Sequence, residues 1–108
     1  MADPTAIAEA MNRMWTKFLP EIEERVALLE TAAAAASRGA LTGELRMEAL
    51  LAAHKLAGVL GTFGLDEGTG LAREAEAIYE RESMASMPNG RAAALAAQLR
   101  AVLAGRPR

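Results

Sequence analysis

Residues 53–65 read AHKLAGVLGTFGL, a stretch that sets the only histidine of the chain among leucines and alanines, with glycines at 58, 61 and 64. Leucine and alanine are strong helix formers, so the segment belongs to a helix. Its internal glycines then need a reason, because each costs roughly 1 kcal/mol relative to alanine. A helical wheel over residues 44–64, at about 100° per residue, separates two faces. Leu45, Ala49, Ala53, Leu56, Leu60 and Phe63 gather roughly opposite His54 and form the expected core stripe. Within roughly 60° of His54 fall Met47, Leu50, Leu51, Gly58 and Gly61, with Ala57 at the edge. The histidine therefore points away from the core that an imidazole serving only to pack would face. The helix is predicted to start at a Thr42 cap, to run to about Thr62 or Phe63, and to end at Gly64.

Outward from this segment, strand formers are sparse and nowhere alternate, while Ala, Leu, Glu and Arg dominate. Breakers at Pro20, Ser37–Gly39, Gly61–Gly70, SMASMPNG (83–90) and GRPR (105–108) divide the chain into a short N-terminal helix and four longer ones. The first is predicted over 4–18, with Ile7, Met11, Met14, Trp15 and Phe18 as its apolar stripe. Pro20 suits the first turn of the next, where its missing N–H costs nothing. That helix carries Ile22, Val26, Leu29, Ala33 and Ala36 to Ser37, and its alanine run at 32–36 reads as a close-packing surface. Asp66 is expected to cap a helix with Leu71, Ala75, Ile78 and Tyr79 inward and Glu67, Arg73 and Glu80 in solvent. Asn89 is expected to cap the last, with Ala92, Leu95, Leu99 and Val102 at helical spacing. Such short connections make neighbours antiparallel. The expected fold is all-α, an up-down antiparallel four-helix bundle with an additional short N-terminal helix laid across one end, forming a single domain over 1–108.

Composition narrows the function classes. The 108 residues are 52% hydrophobic and 24% charged, a globular balance, and a formal net charge of −2 gives no basic field for nucleic acid. With no cysteine there is no disulfide, thiolate nucleophile or Cys-based metal site, which fits a reducing cytosol. The N-terminus lacks the pattern of a signal peptide, and no apolar run reaches the roughly 18–20 residues that span a bilayer. A soluble, cytoplasmic, monomeric and free-standing protein is expected. One histidine, with no glutamate three residues before it, cannot build the converging ligands of a metal or haem bundle, and no partner for a catalytic base shows in the sequence.

The glycine one turn beyond His54 sharpens the picture. A side chain at 58 would overlie one flank of the imidazole, so Gly58 leaves a ring nitrogen open to a bulky reagent, and Gly61 extends the bare strip by a turn. The surrounding leucines and Met47 form an exposed apolar patch, the mark of a protein contact. AHKLAGVLGTFGL, followed by EGTGLAREAE at 67–76, resembles the histidine-containing phosphotransfer (HPt) domains of bacterial multistep phosphorelays. His54, Leu56, Gly58 and Gly64 match the family's H-x-L-K-G pattern and its later glycine. The resemblance implies that His54 is a phosphoacceptor, relaying a phosphoryl group between aspartates of receiver domains in two-component signal transduction. Lys55 and Gly58 would support it, and Met47, Leu50, Leu51, Ala57 and Gly61 would dock the receiver of a response regulator or hybrid kinase. It also implies a stoichiometric carrier and not an enzyme, with no cofactor or metal of its own, the Mg²⁺ belonging to the receiver partner. The sequence departs from the pattern at Ala57, where the family commonly has a basic or polar residue. That departure supports the alternative of a phosphotransfer-deficient adaptor for a receiver domain.

Overall fold

The computed structural model describes residues 3–81 and 90–106. Among them are four helices and no strand: α1 (Pro4–Ser37), α2 (Gly43–Thr62), α3 (Asp66–Glu80) and α4 (Arg91–Gly105). Each packs on its neighbour in sequence, and α4 closes the ring on α1. Five residues between α1 and α2 and three between α2 and α3 leave only hairpin reversals, which gives the up-down bundle.

The separate N-terminal helix predicted for residues 4–18 does not exist. α1 runs without interruption from Pro4 to Ser37 with Pro20 inside it. The core register explains this, because buried Trp15, Leu19, Ile22, Val26, Leu29 and Ala33 follow one another at three- and four-residue steps straight across the proline. Pro20 forfeits a single backbone hydrogen bond on the exposed side, and the continuous stripe outweighs that loss. At about 1.5 Å per residue, 34 residues span about 51 Å, matching the 53 Å long axis of the molecule. The other helices are at most 20 residues long, so the first turns of α1 continue past the bundle instead of lying across it. Ile7 and Met14, expected on the apolar stripe of that helix, are 51% and 43% exposed.

The turns are cut by glycine chemistry. At the end of α2, Gly64 adopts φ 72°, its N–H bonds the carbonyl of Gly61 at 3.0 Å, and that of Leu65 bonds the carbonyl of Leu60 at 2.9 Å. These are the paired bonds of a Schellman stop. Gly39, at φ 67°, ends α1 in the same manner. Thr42 caps α2 as predicted, its hydroxyl accepting from the Leu45 N–H at 3.1 Å. Asp66 does not cap α3. It lies within the first turn, the cap position is Leu65, and no side chain bonds there, so Asp66 and Glu67 act through the helix dipole. The expected Asn89 cap lies outside the described residues, and Gly90 precedes α4.

The core is built from few large side chains and many alanines. Trp15, Ile22, Leu29, Leu56, Leu60, Tyr79, Leu95 and Leu99 are fully buried, with alanines of all four helices between them. Each buried leucine or isoleucine contributes about 1.5–3 kcal/mol. One end is sealed where Trp15 meets Phe63 edge-on at 5.2 Å and the Arg106 guanidinium lies 4.6 Å over the indole. Exposed ion pairs Glu30–Arg100 and Glu74–Arg91 tie α4 to α1 and α3. The guanidinium of Arg91 holds the Glu74 carboxyl below its usual range.

Two predictions follow from this packing. Replacing Pro20 by alanine restores the missing bond at an exposed helix-interior site, so Pro20→Ala is expected to raise stability by about 1–3 kcal/mol in chemical denaturation; a loss would instead favour a helix start at Pro20. The Tyr79 hydroxyl is buried with no hydrogen-bond partner among the described residues, and burial pushes its pKa up to about 12. A proton held more tightly in the folded state stabilises below the unfolded pKa near 10 and loses that contribution as pH rises towards 12. At pH 11 the wild type is expected to have lost about 1.4 kcal/mol through this group, a loss absent from Tyr79→Phe in parallel denaturation series.

Candidate functional site

His54 lies near the middle of α2 with its side chain 72% exposed. The wheel reading of its surroundings holds in part. Met47 and Leu51, two turns and one turn before it, are 45% and 54% exposed, and Gly58 and Gly61 are open to solvent. A Cβ built on Gly58 meets nothing within 4 Å, so no packing demand explains the glycine and the space beside the imidazole is free. Leu50 is half-buried against the core. Ala57, counted as docking surface, is only 9% exposed. Its position on the wheel turns it towards α3, and its carbonyl accepts from the Thr69 hydroxyl at 3.2 Å. Lys55 is exposed on the other flank. Arg46 donates from Nη1 to the Tyr79 carbonyl at 2.5 Å, capping the C-terminus of α3.

The residue missed by sequence reasoning is Glu76. Its Oε2 lies 2.7 Å from His54 Nδ1, and its side chain is 22% exposed against the ring's 72%. An ionised carboxylate only accepts hydrogen bonds, so Nδ1 carries the proton and donates, and the neutral ring's lone pair is on Nε2. Glu76 thereby fixes both tautomer and ring orientation and turns the nucleophilic nitrogen to solvent. The sequence signal was faint: an acid beside the Ala72–Ala75–Tyr79 stripe of α3, with nothing to say which residue of α2 it would face.

The register that joins the two is set by close helix packing. Gly68 of α3 is buried where a Cβ would stand 2.9 Å from Leu60 Cδ1 and 3.3 Å from Val102 Cγ1. Three contacts then run along the α2–α3 seam in antiparallel order: Thr69 on Ala57, Glu76 on His54, and Arg46 on Tyr79. Open grooves of about 570, 520 and 200 Å³ lie elsewhere, and His54 lines none of them. An exposed nucleophile outside these grooves suits a reagent presented on another macromolecule. Among the described residues no three His, Cys, Asp or Glu side chains are placed to hold a metal ion, and no helix is long and apolar enough to cross a membrane.

Residues 13–105 match the family model of the Hpt domain. The chain belongs to the Hpt domain family. No curated protein and no solved structure matches it. The matched span of this Hpt domain takes in the four-helix bundle and begins inside α1, so the overhanging first turns precede it.

The tautomer assignment is open to direct test. In ¹⁵N-resolved NMR of the imidazole, the wild type is expected to show protonated Nδ1 and unprotonated Nε2 near neutral pH. Glu76→Ala is expected to shift the ring towards the other tautomer while leaving helix content unchanged; an unaltered pattern would exclude the carboxylate as its cause.

Proposed function

We propose that this Hpt domain is a phosphorelay intermediate, with His54 accepting a phosphoryl group from an aspartyl phosphate of one receiver domain and passing it to another. The observation that carries this reading is the exposed Nε2 of a ring whose Nδ1–H is held by Glu76. In the transfer, the Nε2 lone pair attacks phosphorus, the N–P bond forms, and the P–O bond to the aspartate breaks, releasing a carboxylate. The ring becomes cationic with its proton still on Nδ1, and the Glu76 carboxylate stabilises that charge. Reversal of the same step delivers the group to the next aspartate.

The chain acts here as a stoichiometric carrier and not as an enzyme, with the Mg²⁺ that neutralises the aspartyl phosphate held by the receiver. Met47, Leu51 and Gly61 supply the docking surface around the histidine, and Gly58 leaves room for the incoming phosphoryl group. Leu50 and Ala57 support this surface from beneath. The protein works as a cytoplasmic monomer in this reading, meeting response regulators or hybrid-kinase receivers without nucleic acid or membrane insertion. The buried Ala57 favours one rival, a receiver adaptor that binds without efficient transfer.

Incubation with phosphorylated receiver domains and intact-mass detection at neutral pH separates the two. Phosphate on the wild type, absent from His54→Gln and reduced at least roughly tenfold in a folded Gly58→Leu, is the expected result for a carrier whose open flank is needed. Receiver binding without transfer would establish the adaptor.

A further inference from the structure

The phosphoryl group proposed for His54 would bring about −1.5 to −2 charges to a ring already hydrogen-bonded to a carboxylate. Such a site calls for a cation, and Ala57 supplies none. Five cations of the described chain are engaged elsewhere: Arg46 on the Tyr79 carbonyl, Arg91 on Glu74, Arg100 on Glu30, Arg106 over Trp15, Lys17 over Phe18. Arg73 differs. It is exposed on α3 and has no hydrogen-bond or ion-pair partner among the described residues.

Its position is bracketed by two contacts. Thr69, four residues before it, touches α2 at Ala57, and Glu76, three residues after it, touches α2 at His54. At about 100° per residue, Thr69, Arg73 and Glu76 fall within roughly 60° of one another, so Arg73 occupies the solvent lip of the seam between those contacts. It is one turn, about 5 Å, from Glu76, yet that carboxylate bonds His54. Towards the C-terminus of α2, the residues on the α3 flank of His54 are Ala57 and Gly61, a methyl and a bare position. A long guanidinium side chain on the lip therefore has an unobstructed approach to a group on Nε2.

We propose that Arg73 is the positioning residue for phosphorylated His54, its guanidinium donating to the phosphoryl oxygens from α3. This rests on the phosphoacceptor reading of His54. It assigns to a residue of the neighbouring helix the charge that position 57 lacks, and a planar fork of N–H donors matches phosphate geometry better than the single ammonium of Lys55 on the opposite flank.

The test uses phosphoramidate, which needs no receiver: Nε2 attacks phosphorus, the reagent's P–N bond breaks, and ammonia leaves. Wild type, Arg73→Ala, Arg73→Lys and Lys55→Ala are phosphorylated and followed by intact mass and by ³¹P NMR across pH. In Arg73→Ala, phosphohistidine lifetime is expected to fall roughly three- to tenfold and the phosphoryl titration to move upward by a corresponding factor. Arg73→Lys is expected to restore part of both, with circular dichroism unchanged throughout. Lifetimes and titration equal to wild type in Arg73→Ala would overturn the proposal, as would a shift produced by Lys55→Ala in its place. Failure of the wild type to take phosphate on His54 from either phosphoramidate or receivers would instead overturn the phosphoacceptor reading beneath it.

Discussion

The close approach of α3 to α2 governs the arrangement of the site. Where Gly68 lies against Leu60 there is no room for even a methyl group without displacement, and buried Ala53, Ala57, Ala72 and Ala75 keep both helices thin. Small residues at a helix contact permit short axial separations but supply little directional information. Polar contacts add it, with Thr69 bonding the Ala57 carbonyl and Arg46 bonding that of Tyr79 at opposite ends of the seam. Between these fixed points Glu76 can meet only the part of α2 that carries His54.

That geometry divides the work of the site between two helices. α2 provides the imidazole and the bare strip beside it, and α3 provides the carboxylate that selects the tautomer. The remaining elements act at a distance. α1 and α4 cover the opposite faces, the Trp15–Phe63–Arg106 cluster closes one end, and the exposed ion pairs of Glu30 and Glu74 add little beyond orientation. In the proposed relay, rigidity of the pair matters more than enclosure, because the histidine has to be presented to a partner and not hidden from water.

In the proposed transfer, a ring nitrogen already turned to solvent with its lone pair free would need no base within the chain. The demand left by that proposal is electrostatic, since a phosphoryl group beside a carboxylate would raise local negative charge. With Arg73 at the lip of the same seam, the α2–α3 contact would organise proton placement and charge compensation together.

The sequence by itself determined the helices of the core and the direction of His54. Hydrophobic periodicity at 3.6 residues is a local property, so the wheel separated Leu56 and Leu60 from His54 without knowledge of any neighbour. Gly58, Gly64 and the Thr42 cap were legible for the same reason, as each acts within its own helix. Local signals failed where they conflicted with packing. Pro20 reads as a helix start, yet the stripe from Trp15 to Ala33 carries the helix through it, because continuous burial outweighs one lost hydrogen bond. What only the tertiary structure decided was register between helices. The pairing of Glu76 with His54 and the capping of α3 by Arg46 join residues 22 and 33 positions apart. They are fixed by how closely two alanine- and glycine-lined surfaces can slide and settle, a quantity that no single helix encodes.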